Sequence, residues 1–92
     1  MKFMVTWSYP ADRWTAVMKR WNKREPTPME HRGCKFLGRW HGIATNKGFM
    51  LWEVDDATAL AEVLNGWSDL LDYEVTLVNA DEDIPEGYTV DL

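Results

Sequence analysis

The chain has 92 residues, a formal net charge of −5 and a single cysteine, which limits it to one domain and leaves no second thiol for an internal disulfide. Residues 1–80 carry ten basic and ten acidic side chains, so the whole excess comes from Asp81, Glu82, Asp83, Glu86 and Asp91. A neutral body with an acidic tail is a poor match for a phosphate backbone, and no nucleic-acid partner is expected. No leader-like segment opens the chain and no apolar run approaches the roughly 18 residues a membrane helix needs, so a cytoplasmic location without a membrane partner is expected. Cys34 reads as a small apolar residue at a strand start, in keeping with a reducing compartment.

In chain order, Phe3, Val5 and Trp7 alternate with Met4, Thr6 and Ser8, which predicts a strand from Lys2 to Ser8. Pro10 suits a turn or a helix start. Trp14, Val17, Met18 and Trp21 then recur at i, i+3, i+4 and i+7, the stripe of an amphipathic helix. Pro26 and Pro28 end it, and Glu25 to Arg32 reads as a loop, with His31 in solvent. Gly33 to His41 and Lys47 to Val54 are predicted strands joined by a short turn, hence an antiparallel hairpin. Asp55 or Asp56 offers an N-cap for a helix striped by Ala57, Leu60, Ala61 and Leu64, ending near Asn65. Leu71 to Val78 alternates again as a fourth strand, and Tyr88 to Val90 has the makings of an edge strand in the tail. The fold class is therefore α+β, ferredoxin-like βαββαβ: a four-stranded antiparallel sheet of order 4-1-3-2 with two helices on one face. Residues 1–80 form this domain, and residues 81–92 are the acidic C-terminal tail.

Strand alternation sorts the side chains into two faces. Phe3, Val5, Trp7, Phe36, Trp40, Met50, Trp52, Val54, Tyr73, Val75 and Leu77 form an apolar set expected beneath the helices. The other set mixes Met4, Leu37, Phe49, Leu51 and Val78 with Thr6, Arg39, His41, Glu53 and Glu74. The apolar members of this open face are costly to leave wet, and a second copy packed across a two-fold axis would cover them. Thr6, Arg39, His41, Glu53 and Glu74 would then surround a partly dry cavity, the candidate ligand site. A hairpin symmetric about Thr45 sets His41 and Glu53 about 13 Å apart, too far for a metal or acid–base pair within one chain. It makes Glu53 and Arg39 diagonal neighbours, an ordinary cross-strand ion pair. No metal and no cofactor is expected.

Met1 to Trp7, Leu37-Gly38-Arg39-Trp40-His41, Gly48-Phe49, Glu53-Val54-Asp55-Asp56 and Trp67 to Leu71 together resemble the small bacterial family called domain of unknown function 3303. The resemblance spans about residues 1–78. It implies membership of the dimeric α/β-barrel superfamily, with a ferredoxin-like protomer that dimerises through its open sheet face. It implies no activity. Relatives in the wider superfamily hold their sites between helices and sheet or near the barrel mouth, but no motif here selects one of their reactions. The functional expectation is a dimeric barrel that binds a small aromatic or planar molecule at the open sheet face. The alternative is a non-catalytic dimerisation or protein-interaction module.

Overall fold

A computed structural model describes residues 1–24, 30, 31 and 33–84. The elements follow as β1 (Lys2–Ser8), a 3-10 turn (Ala11–Arg13), α1 (Trp14–Lys23), β2 (Glu30–His31), β3 (Cys34–His41), β4 (Lys47–Val54), α2 (Ala57–Asn65), β5 (Asp72–Val78) and a second 3-10 turn (Asp81–Asp83). One antiparallel sheet runs in the order β2-β3-β4-β1-β5. Setting aside the two-residue β2, this is the expected ferredoxin-like order of four long strands with two helices. The short β2 corrects the reading of Glu25 to Arg32 as all loop: Glu30 and His31 pair with Lys35 and Cys34. Gly33 makes the tight turn between them at a φ of 83°, a conformation that costs glycine little. The expected edge strand at Tyr88 to Val90 lies outside the described residues.

Alternation in the central strands builds the core. Val5 and Trp7 of β1 and Met50, Trp52 and Val54 of β4 are buried on one side, where they meet Leu60 and Leu64 of α2. Each such aliphatic side chain contributes about 1.5–3 kcal/mol when fully buried. Phe36 meets Trp52 edge-on, with ring centroids 5.1 Å apart. The Asp56 carboxylate caps α2 by accepting the Ala59 N–H at 2.9 Å, a contact worth about 1 kcal/mol. Gly66 ends the helix, and the turn that follows carries Trp67 to Leu71 into β5.

The first helix sits differently. Of its predicted stripe only Val17 is buried, while Trp14 is 53% exposed. A bidentate ion pair holds it from the far side, with Arg20 donating to both carboxylate oxygens of Asp69 at 2.7 and 2.8 Å. Space therefore remains between α1 and the sheet.

One irregularity changes the expected faces. Phe36 is opposite Trp52, but Gly38 is opposite Leu51, so Leu37 is an extra residue in β3 and the strand bulges there. Beyond the bulge the alternation is inverted. Arg39 pairs with buried Met50 and His41 with buried Gly48, on the helix side, whereas Trp40 pairs with Phe49 on the open side. The expected symmetric hairpin is corrected accordingly: His41 lies opposite Gly48 rather than Phe49, and Glu53 lies opposite Lys35 rather than Leu37.

Candidate functional site

The space beneath α1 is a cavity of about 240 Å³. Trp7 of β1, Met50 of β4 and Tyr73 of β5 form its floor, α1 supplies Val17, Met18 and Trp21, and the turn after α2 supplies Trp67 and Leu71. Arg39 and His41, carried to this side by the bulge, stand at the end nearest the β3–β4 hairpin, with Arg24 beside them.

Aromatic contacts organise that end. The His41 imidazole is edge-on to two indoles at once, with centroids 5.4 Å from Trp7 and 5.3 Å from Trp21. The Arg24 guanidinium lies 3.4 Å from the centre of the Trp21 ring and donates to the Trp21 carbonyl at 2.8 Å. The Arg39 guanidinium is 5.3 Å from the same indole and 4.9 Å from the Phe36 ring. Trp21 thus gathers both cations, a geometry that cation–π attraction favours. The Lys47 ammonium turns the other way, 5.7 Å from the Phe49 ring.

Burial and charge act together here. Burial pushes the Arg39 pKa down, and repulsion from Arg24 lowers it further; an arginine remains charged through such a shift. His41 is pushed below its ordinary range by burial, then by Arg39, then by Arg24, which leaves a neutral imidazole at pH 7. Tyr73 is pushed up to about 12 by burial, with nearby Arg39 opposing the shift. Its phenol therefore stays protonated and can donate a hydrogen bond. Two guanidiniums, a neutral imidazole and a protonated phenol can hold and orient a flat molecule lodged among indoles.

The five residues expected at one site are divided between the two faces. Arg39 and His41 belong to the cavity under α1. Thr6 and Glu74 are cross-strand partners on the open face. Glu53 is at the other end of that face, opposite Lys2 and Lys35, and its Oε1 accepts from the Met1 amine at 3.1 Å. The expected Glu53–Arg39 pair is thus replaced by a pair with the chain terminus. On the open face Met4, Thr6, Trp40 and Phe49 border only a shallow depression. Among the described residues, no group of three His, Cys, Asp or Glu side chains is placed to hold a metal ion, and no helix is long and apolar enough to cross a membrane.

Trp7 and Tyr73 were expected in the apolar set beneath the helices and Trp21 on the stripe of α1; that these rings and Trp67 border one space is what the structure adds. The signal that could have found the site is Gly38, because a glycine inside a strand marks a candidate bulge, and a bulge there sends Arg39 and His41 to the aromatic side.

Residues 1–88 match the model of the family described as domain of unknown function (DUF3303), and the chain belongs to that family. No curated protein and no solved structure matches it.

Proposed function

We propose that this member of the domain of unknown function 3303 family binds a small planar or aromatic molecule in the cavity beneath α1. The observation that carries the reading is the 240 Å³ space itself, bordered by Trp7, Trp21, Trp67 and Tyr73. A small domain uses large aromatics to fill its core, yet these four surround a space instead of closing it. The volume lies just below the usual range for small-molecule sites, roughly 300–1,000 Å³, so it suits one or two fused rings. Titrating planar compounds while following tryptophan fluorescence tests the reading. Saturable quenching that Trp21→Leu weakens supports it; absence of saturable binding across single- and double-ring compounds refutes it.

The working unit in this proposal is a cytoplasmic homodimer with the dimeric α/β-barrel arrangement, joined through the open sheet face. Leu37, Trp40 and Phe49 on that face are 40%, 54% and 37% exposed, an apolar group that a second copy would cover. Buried Cys34 fits a reducing compartment. Sedimentation velocity on the native chain and on Trp40→Glu tests the assembly: a dimer that the substitution converts to monomer is expected. If the dimer forms but no planar compound binds, the second reading holds, a non-catalytic dimerisation or interaction module resting on the same open face.

A further inference from the structure

We propose that β5 pairs edge to edge and antiparallel with β5 of a second copy, a contact separate from the open-face interface above. The two sides of the sheet are finished differently. β3 is bulged at Leu37 and carries β2 along its first residues, two devices that blunt an edge. β5 has neither. Its seven residues, Asp72–Val78, pair in unbroken register with β1 and include no lysine, proline or glycine. Among the described residues nothing pairs with its outer side. The Lys2–Asp83 ion pair, at 3.1 Å, draws the chain after β5 back toward β1 and off that edge.

The side chains favour a second copy as the occupant. Val75 and Leu77 stand opposite Val5 and Phe3 on the helix side, yet they are 45% and 60% exposed. Pairing centred on Val75 is the register that uses all of β5. It sets Val75 against the partner's Val75, Leu77 against the partner's Tyr73, Glu74 against the partner's Thr76 and Asp72 against the partner's Val78. No carboxylate then faces another directly, and the two Glu74 side chains lie on a diagonal at roughly 7–8 Å. The two-fold axis of such a contact runs through the sheet, so the open face stays free. The partner's Leu77 stands beside Tyr73 and prolongs the cavity floor past the edge of its own sheet. A single strand buries far less than a sheet face, so this contact forms only at higher concentration.

Sedimentation velocity on the full chain, from micromolar to millimolar protein, tests the pairing in a Trp40→Glu background that removes the open-face contact. That chain should be monomeric when dilute and dimerise as concentration rises. Adding Val75→Lys or Val75→Glu, each at an exposed position, should weaken the step at least tenfold, because like charges meet at the axis. Mixing the Lys and Glu chains should restore it. Restoration requires the two copies of position 75 to meet, which neither misfolding nor a contact elsewhere supplies. Leu77→Lys should weaken the step likewise and keeps the test decisive if the Val75 variants do not fold by circular dichroism. A Trp40→Glu chain that stays monomeric at millimolar concentration overturns the proposal. So does association that the new charges leave unchanged, or that mixing does not recover. A native chain that is monomeric when dilute counts against the open-face dimer alone and leaves the edge contact to be read at high concentration.

Discussion

The indole of Trp7 lies over Gly48 across the β1–β4 pair, filling the space that a Cβ at position 48 would need. Gly48 is buried, Trp7 is 8% exposed and the same indole forms part of the cavity floor. The approach of ring to backbone therefore sets both the packing of the sheet and the shape of the site. Gly48→Ala should destabilise the protein by about 1–3 kcal/mol, the usual cost of overpacking a core. Urea unfolding followed by far-UV circular dichroism measures it; an unchanged midpoint would show that the ring moves aside freely.

The Arg20–Asp69 pair spans 49 positions of sequence and is the one bidentate ion pair among the described residues. Arg20 also lies 5.3 Å from the Trp67 ring, so the pair joins α1 to the turn that brings Trp67 to the cavity. Both partners are solvent-exposed, and such pairs contribute little to global stability. Arg20→Gln and Asp69→Asn should each lower the melting temperature by no more than a few degrees. The double substitution should cost no more than either alone. A larger effect on the affinity for a planar probe than on melting is expected, because the pair fixes where α1 stands over the cavity.

His41 yields a pH prediction. Its folded pKa is below the ordinary value because of burial, Arg39 and Arg24. The neutral form is therefore favoured by the fold, and the associated stability is present above the unfolded pKa and lost as pH falls through the folded one. Below about pH 6.5, His41→Gln should lose less stability on acidification than the native chain does. NMR titration of the His41 ring protons should show a midpoint under the free-histidine value, and a midpoint at or above it would contradict the arrangement of the two guanidiniums.

Tyr73 titrates at the opposite extreme. With its pKa raised to about 12, the protonated phenol is favoured by the fold. That contribution is intact below the unfolded pKa of about 10 and disappears as pH rises through the folded one. Ultraviolet titration should show one tyrosine ionising about two units later than a free phenol, and Tyr73→Phe should remove that late step. Between pH 10 and 12 the Phe variant should lose less stability than the native chain.

Much of the architecture was legible because it rests on periodicity. The alternation of Phe3, Val5 and Trp7 and of Met50, Trp52 and Val54 sent the right side chains to the core. The Leu60 and Leu64 spacing and the Asp56 cap placed α2. Periodicity fails where a strand gains a residue: the alternation runs through Phe36-Leu37-Gly38 as it would in a regular strand, and the glycine is the one local hint of the bulge. Trp40 compounded the error, because a large apolar side chain is expected inside, yet it folds over Gly38 on the open face. Glu30 and His31 were hidden by the two prolines before them, and what pairs them to β3 is the turn at Gly33. The cavity was out of reach for another reason. A helical stripe reports which residues face inward, and it cannot report that α1 stands away from the sheet.

The extra residue at Leu37 behaves like a frameshift written in three dimensions. Shortening β3 by that one residue would take away only Leu37, yet Arg39 and His41 would turn to the open side and Trp40 would turn beneath α1. Whether β3 gives this space a guanidinium and an imidazole or an indole is thus decided by the odd or even length of one strand segment. An insertion or deletion at this point, more than a substitution, would exchange one kind of interior for another in this chain.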